Sequence, residues 1–374
     1  MRVTLLIPTL DRSGAEKQFT LLALGLRERT DWEIDVVVLT RGGPYQETLE
    51  QAGIPVTVLG KRFKLDPFCY WRLKQHLKDS PPDLLHSWMF TANSYGRWAV
   101  GKQPGCKVVV SERCVDSWKG RWQTRLDRRL IARTDCLLAN STSVAEFYRE
   151  IGYPARLIHM IPNGVKSSES ADQDSKTRLR EEWKIPAGAR VVGFVGRLAP
   201  QKRITDLIWA FHLLRHLMEN VYFVIVGDGP ERDDLADYAG RTSCEELIRF
   251  VGHREDGAAI MPAFDLFWLA SEFEGMSNSL MEAMAAGVPC LASDIPANRE
   301  LIAPGETGEL FPVGDSLALA QLSDRLLNHN ELYQSISVQS RAKMRTDYSV
   351  DQMVERHLEI YNSLLASRGP ADNS

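Results

Sequence analysis

The chain has 374 residues, 44% of them hydrophobic and 25% charged, the balance of a soluble globular protein too long for one ordinary core. About two domains are expected. No apolar run approaches the ~20 residues that span a bilayer. The six cysteines (Cys69, Cys106, Cys114, Cys136, Cys244, Cys290) form no C-x-x-C pair, which argues against a zinc site or a redox dithiol and suits a reducing cytoplasm. The net charge of -4 hides an asymmetry: sixteen Lys and Arg face six Asp and Glu between Lys61 and Thr134, so the rest of the chain carries -14. That basic segment also holds Trp71, Trp88, Trp98, Trp118 and Trp122.

The N-terminal MRVTLLIPTLDRSG reads as a first strand, Val3 to Pro8, because a signal peptide needs a longer apolar core and a small-residue cleavage site. Thr9 to Gly14 is a polar loop, and Ala15 to Arg29 is helical by the spacing of Phe19, Leu22, Ala23 and Leu26. A second apolar run follows at Ile34 to Leu39. This alternation predicts a parallel sheet with crossover helices, whose ligands bind at the carboxyl ends of the strands. Gly14 lies at such an end, where it would let backbone approach a phosphate ahead of a helix N-terminus. His86 ends another predicted strand, Asp83 to Trp88, and reads from sequence as a buried histidine bonded to backbone. Arg113, after the strand Val108 to Ser111, either faces a cleft or pairs with Glu112.

Trp118 to Arg133 (WKGRWQTRLDRRLIAR) predicts a basic amphipathic helix. Trp122, Leu126, Leu130 and Ile131 line one side; Arg121, Arg125, Arg128, Arg129 and Arg133 occupy much of the rest. The face either packs on the sheet in solvent, meets anionic lipid headgroups, or meets nucleic acid. Packing and membrane contact rank first. Nucleic acid ranks last, since no motif for it occurs and the chain is acidic overall. Cys136 to Ala139 is a strand, and Asn140-Ser-Thr-Ser143 caps the next helix. Lys166 to Lys184 reads as a linker running into a surface helix; its Asp172-Gln-Asp174 follows no strand, so it is not taken as a metal motif.

The second half repeats the logic. Val191 to Gly196 is a strand, Arg197 to Lys202 a loop and Ile204 to Leu217 a helix. Arg197 and Lys202 would point two cations at one place, good chemistry for a diphosphate. Val221 to Val226 and Ile248 to Gly252 are strands, the second followed by His253. Asp265 to Ala270 is an apolar strand, and Gly275 turns the chain sharply. Ser277 and Asn278 are helix N-caps, Leu280, Met281, Met284 and Ala285 recur at helical spacing, and Gly287 and Pro289 stop the helix. The loop thus opens at a helix N-terminus, a ready anion site. Glu274 and Glu282 frame it and could accept hydrogen bonds from sugar hydroxyls. Ser279 to Glu282 also fits a capping box, in which Glu282 would only fold back onto the helix start. Cys290 to Ala292 is the next strand, and Ser349 to Ala366 is a final helix.

The pattern Glu274…Glu282, continuing as EAMAAGVPCLAS, together with FVGRLAPQK, resembles the donor-binding signatures of the retaining glycosyltransferases of family four. Gly14 is similar to that family's first glycine loop, with Ser13 in place of one of its two adjacent glycines. His86 is similar to the first histidine of its H-x-H strand end, with Trp88 in place of the second, and Ile161-Pro-Asn-Gly-Val165 to its interdomain joint. The resemblance implies an α/β chain of GT-B architecture, two Rossmann-like domains facing a central cleft. Residues 1–166 form the acceptor side, with helix 349–366 crossing back to it, and 167–348 the donor side. It implies transfer, with retention, of a sugar from a nucleotide-sugar, a UDP-sugar first, to a glycan, polysaccharide or lipid-linked acceptor. Arg197 and Lys202 would clamp the diphosphate, Glu274 contact the sugar, Glu282 the ribose, and the backbone near Gly252 and His253 the base, with Gly275, Ser277 and Asn278 at the helix start. His86, Glu274, Arg197 and Lys202 are the catalytic candidates. No metal, cofactor or nucleic acid is expected. The expected setting is cytoplasmic, peripheral on the inner face of a membrane through Arg121, Arg125, Arg128 and Arg129. The competing expectations are a nucleotide-sugar 2-epimerase or hydrolase, and a non-catalytic scaffold.

Overall fold

Short runs of β-branched residues become buried strands here because crossover helices cover both faces of each sheet. The computed structural model describes residues 1–101, 105–115, 119–166 and 173–366. In chain order these form β1 (Arg2–Thr9), α1 (Gly14–Arg29), β2 (Glu33–Arg41), α2 (Pro44–Gln51), β3 (Val56–Val58), α3 (Pro67–Asp79), β4 (Leu84–Trp88), α4 (Met89–Val100), β5 (Lys107–Glu112), α5 (Arg121–Leu130), β6 (Cys136–Ala139), α6 (Thr142–Ile151) and β7 (Ile158–Met160). There follow α7 (Gln173–Glu182), β8 (Arg190–Val195), α8 (Ile204–Leu217), β9 (Val221–Val226), α9 (Arg232–Arg241), β10 (Ile248–Gly252), β11 (Leu266–Leu269), α10 (Asn278–Ala285), β12 (Cys290–Ser293), α11 (Pro296–Leu301), β13 (Glu309–Phe311), α12 (Ser316–Asn328), α13 (Asn330–Asp347) and α14 (Val350–Ala366). The chain divides into two units: Met1–Gly164 with Val350–Ser374, and Val165–Ser349.

The first unit is a seven-stranded parallel sheet in the order β3-β2-β1-β4-β5-β6-β7. Successive side chains of β1 serve opposite faces, as strand geometry requires. Leu5 and Ile7 pack with Phe19, Leu22 and Leu26 of α1 and Val354 and Tyr361 of α14. Leu6 packs with Leu73 of α3, Tyr95 of α4 and Tyr148 of α6. Gly25 of α1 lets α14 approach: a Cβ there would lie 2.4 Å from a Val354 methyl. The last helix therefore belongs to the first unit's core.

Helix α5 is shorter than its sequence pattern suggests, and a 3-10 turn at Ile131–Arg133 follows it. Trp118 lies outside the described residues. Its one acid, Asp127, turns inward and is fully buried. There it accepts from Arg97 (2.6 Å) and from Lys119 (2.9 Å), while Arg97 also donates to the Tyr153 hydroxyl (2.6 Å) and to Asn93 O (2.8 Å). Glu112 accepts from Asn93 (2.9 Å) and lies 3.7 Å from Lys119. The charges balance within a dry shell, and α5 is pinned by them with its arginines outward. Trp122 is exposed with them, so the apolar side expected for this helix is in part open to solvent.

His86 is fully buried at the centre of the sheet. Trp88 Nε1, a donor only, points at His86 Nδ1 (3.3 Å), so Nδ1 is the acceptor. The Tyr361 hydroxyl then donates to it (2.5 Å), and Nε2 donates to Ser111 Oγ (2.7 Å). The partners are side chains, not the backbone expected. His357 of α14 lies beside it, donating from Nδ1 to Met353 O (2.7 Å). Burial lowers both imidazoles, His357 to about 3 and His86 well below its ordinary value. Arg113 pairs neither with Glu112 nor with solvent. Its guanidinium stacks on Trp88 at 3.9 Å and donates to Asn163 Oδ1 (3.2 Å), and burial pushes it down to about 9.

Two expectations follow. Asp127→Asn leaves Arg97 and Lys119 buried with only Glu112 to balance both, and urea unfolding should show a loss of about 3–5 kcal/mol; a loss under about 1 kcal/mol would mean the pairing adds nothing. The two histidines stay neutral in the fold and take up protons when unfolded near their ordinary value of 6.5. Stability is then full above that value and falls as the pH drops through it, by about 2 kcal/mol per histidine at about pH 5. His357→Gln should flatten this slope; an unchanged slope would place the sensitivity elsewhere.

Candidate functional site

The second unit is a six-stranded parallel sheet in the order β10-β9-β8-β11-β12-β13. Strands β8 and β11 are neighbours, with Val192 opposite Leu266 and Gly193 opposite Phe267. Connections leave β8 toward one edge and β11 toward the other, so the loops at their carboxyl ends part and open a crevice there. The two candidate loops are these two: Arg197 to Lys202 after β8, and Ser271 to Ser277 after β11.

Hydrogen bonds fix the first loop. Gly196 N donates to Val226 O (3.0 Å) and Leu198 N to Asp228 O (3.0 Å). Gly227 sits at φ +141°, and a Cβ there would lie 1.8 Å from Gly196 O, so only glycine serves where β9 ends. A 3-10 turn at Pro200–Lys202 brings Lys202 round. The two loops then bond to each other: Gln201 Nε2 donates to Phe273 O (2.6 Å) and Glu272 N to Gln201 O (2.9 Å).

Across that junction Lys202 Nζ pairs with Glu274 Oε1, both side chains mostly buried. Ser271 Oγ donates to the same oxygen (2.7 Å), and Ser293 Oγ at the end of β12 donates to Ser271 O (2.6 Å). Glu274 Oε2 has no hydrogen-bond partner among the described residues. The sequence suggested two cations aimed at one place. The structure holds Lys202 on a carboxylate and leaves Arg197 exposed, with no hydrogen-bond or ion-pair partner among the described residues. Ser271, Ser293 and Gln201 escaped the sequence reading; the signal was a serine three residues before Glu274 at a strand end.

Helix α10 begins where expected. Ser277 is its N-cap, accepting from Leu280 N (3.4 Å), and Asn278 is its first residue. The helix starts too early for Ser279 to be the cap of a box with Glu282. Glu282 instead stands half-buried in the second turn. Leu280, Met281 and Met284 bury the opposite side, Gly275 is buried before the cap, and Gly287 at φ +72° ends the helix. Gly252 ends β10 at φ +82°, its carbonyl accepting from Gly227 N (2.8 Å), and His253 is exposed just beyond.

In the first unit the order reverses between β1 and β4, and the loop after β1 leads directly to Gly14. Gly14 is itself the first residue of α1. Ser13 is not a vacant substitute for a glycine: its hydroxyl donates to the Glu16 carboxylate, which also accepts from Thr9 Oγ1 (2.8 Å). The S-x-x-E spacing was the available signal. His86 lies at the same reversal but is sealed, with neither ring nitrogen open to a substrate. This corrects its place among the catalytic candidates. Of the D-x-D, Asp172 lies outside the described residues and Asp174 is in the first turn of α7.

Comparison with known proteins agrees with this geometry. The family model for Glycosyltransferase Family 4 matches residues 12–169, and that for Glycosyl transferases group 1 matches residues 175–343. The chain is 25% identical to the lipopolysaccharide core biosynthesis glycosyltransferase LpsE of Rhizobium meliloti over 351 residues, 94% of this chain and 96% of that one. It is 27% identical to the N-acetyl-alpha-D-glucosaminyl L-malate synthase of Bacillus anthracis over 235 residues, 63% of this chain and 61% of that one. Its fold is that of Anabaena Alr3699/HepE, solved in complex with UDP-glucose: TM-score 0.86, 24% identity, 97% of this chain and 100% of that one. With two Rossmann-like units of the GT-B fold and both family models matched in turn, the chain belongs to the group 1 glycosyltransferases of family 4.

Proposed function

We propose that the chain moves a sugar with retention from a nucleoside-diphosphate sugar, a UDP-sugar first, to a glycan, polysaccharide or lipid-linked acceptor, and that it needs no metal. The observation that carries this reading is the junction of Lys202 and Glu274 across the two loops. It sets a cation and a carboxylate side by side, in the same unit as the free Arg197 and the N-terminus of α10. The diphosphate would lie on Arg197 and at the N-terminus of α10, the positive end of the helix dipole. Lys202, shared between Glu274 and the phosphate, would offset charge as it grows on the leaving group; such stabilisation is usually the largest catalytic term. Glu274 Oε2 would accept from a sugar hydroxyl and Glu282 from the ribose. The base would lie against the backbone at Gly252 and His253. We assign no covalent nucleophile.

The UDP-glucose complex of HepE supports the donor class, and the lipopolysaccharide role in the name of LpsE supports a glycan acceptor. No helix among the described residues is long and apolar enough to cross a membrane. Arg121, Arg125, Arg128 and Arg129 are all exposed on α5, which supports peripheral contact with an anionic surface. Nucleic acid has no such support.

Calorimetric titration with UDP, GDP and ADP tests the reading. One of the three should bind, at least about tenfold more weakly to Arg197→Ala. Glu274→Gln removes a negative charge near the diphosphate, so it should bind the nucleotide as well or better and lose about a hundredfold or more in transfer. Donor turnover without an acceptor would favour the epimerase or hydrolase. Binding by none of the three would refute the reading.

A further inference from the structure

Large apolar side chains scattered singly on a surface need no explanation, but a cluster does. Between Phe63 and Trp71 the first unit exposes four: Phe63, Leu65, Phe68 and Trp71, from 63% for Trp71 to 74% for Phe68. They straddle the start of α3, in the loop before it and on its first turns. The charges among them have one sign. Arg62, Lys64, Arg72 and Lys74 are exposed. The only acid from Lys61 to Lys78, Asp66, is buried as the N-cap of α3, accepting from Phe68 N and Cys69 N (3.0 Å each) and from Arg62 N (2.8 Å). Asp66 N in turn donates to the Tyr95 hydroxyl (2.8 Å), which fixes the loop on α4. The segment is therefore held in one shape that keeps its aromatic residues out and its acid in.

The neighbouring helices continue this character. Helix α3 packs on α4, and α4 on α5. Each exposes one tryptophan: Trp71, Trp98 and Trp122. A protein partner would bring acidic side chains of its own shape to such a surface. A bilayer needs only what is present: apolar side chains long enough to enter the headgroup boundary, tryptophans at the interface, and cations for anionic lipid.

We propose that the segment 61–74, with Phe63, Leu65, Phe68 and Trp71 inserted and Arg62, Lys64, Arg72 and Lys74 on the headgroups, docks the first unit on an anionic bilayer surface. The proposal deepens the peripheral-membrane reading above: α5 supplies charge beside it, while the apolar anchor is the start of α3. The two signals together give reversible surface binding and no span.

Flotation with vesicles of phosphatidylcholine alone, and of equal parts phosphatidylcholine and phosphatidylglycerol, tests it on the full chain. The protein should float with the mixed vesicles only. Phe68→Ser with Trp71→Ser, both exposed and outside the nucleotide site, should weaken partition at least about tenfold, since each loses most of an apolar side chain's transfer. Nucleotide binding should be unchanged, which separates this test from that of the donor site. Lys64→Glu with Arg72→Glu should abolish binding. Three results would overturn the proposal: wild-type flotation of the serine variant, loss of binding only on charge reversal of Arg125 and Arg128, or a serine variant that changes from dimer to monomer in sedimentation, which would make the patch an interface between copies.

Discussion

The ion pair between Lys202 and Glu274 depends on a constraint of parallel sheets. Each strand of such a sheet ends at the same edge, and the loops part only where the strand order reverses. In the second unit that point lies between β8 and β11, so residues 72 apart in sequence are brought side by side. Two backbone-directed hydrogen bonds, from Gln201 and Glu272, hold the loops at that spacing. Ser271 and Ser293 then aim the carboxylate. The Glu274 carboxylate is thus positioned from the ends of three strands, and Gly227, where a Cβ would strike Gly196 O, lets the end of β9 press against the loop after β8.

Charge is treated oppositely in the two units. In the second unit it is left available: Arg197 has no partner among the described residues, and Lys202 lies with Glu274 at the junction of two loops. In the first unit Arg97, Lys119, Asp127 and Glu112 consume one another in a dry interior, and His86, His357 and Arg113 are buried where ionisation is disfavoured. A buried ion pair adds little net stability against apolar replacements, but removing one member is costly. Its service here is orientational. With Asp127 turned in, the exposed charges of α5 are all cationic, and with Asp66 turned in to cap α3, so are those of residues 61–74. The positive excess of the first unit therefore becomes directional.

Much was legible in the sequence where a local rule acts alone. The apolar runs at Val3, Ile34, Val191, Val221 and Cys290 are strands because length and β-branching decide it. Ser277, Gly287 and Ser141 sit where their capping chemistry puts them. Helices α2, α3, α4, α9, α12 and α13 passed unread. The pattern of α3 is blurred by Phe68 and Trp71, apolar residues on its exposed side, and α4 buries a polar set, Asn93, Ser94 and Arg97, that looks like a surface in sequence. The partners of His86 and Arg113 were not legible for the same reason: what a buried polar side chain meets depends on what lies beneath it, here Tyr361 for His86 and Trp88 for Arg113.

The sequence by itself determined the two alternating α/β halves and the strand-end loops that carry Arg197, Lys202 and Glu274, because periodicity, turns and caps act over a few residues. Tertiary structure alone decided that Lys202 is paired and Arg197 is not, that His86 is sealed beneath α14, and that Asp127 turns inward to Arg97. Each of these depends on a partner tens to hundreds of residues away, and strand order, not local pattern, chooses that partner.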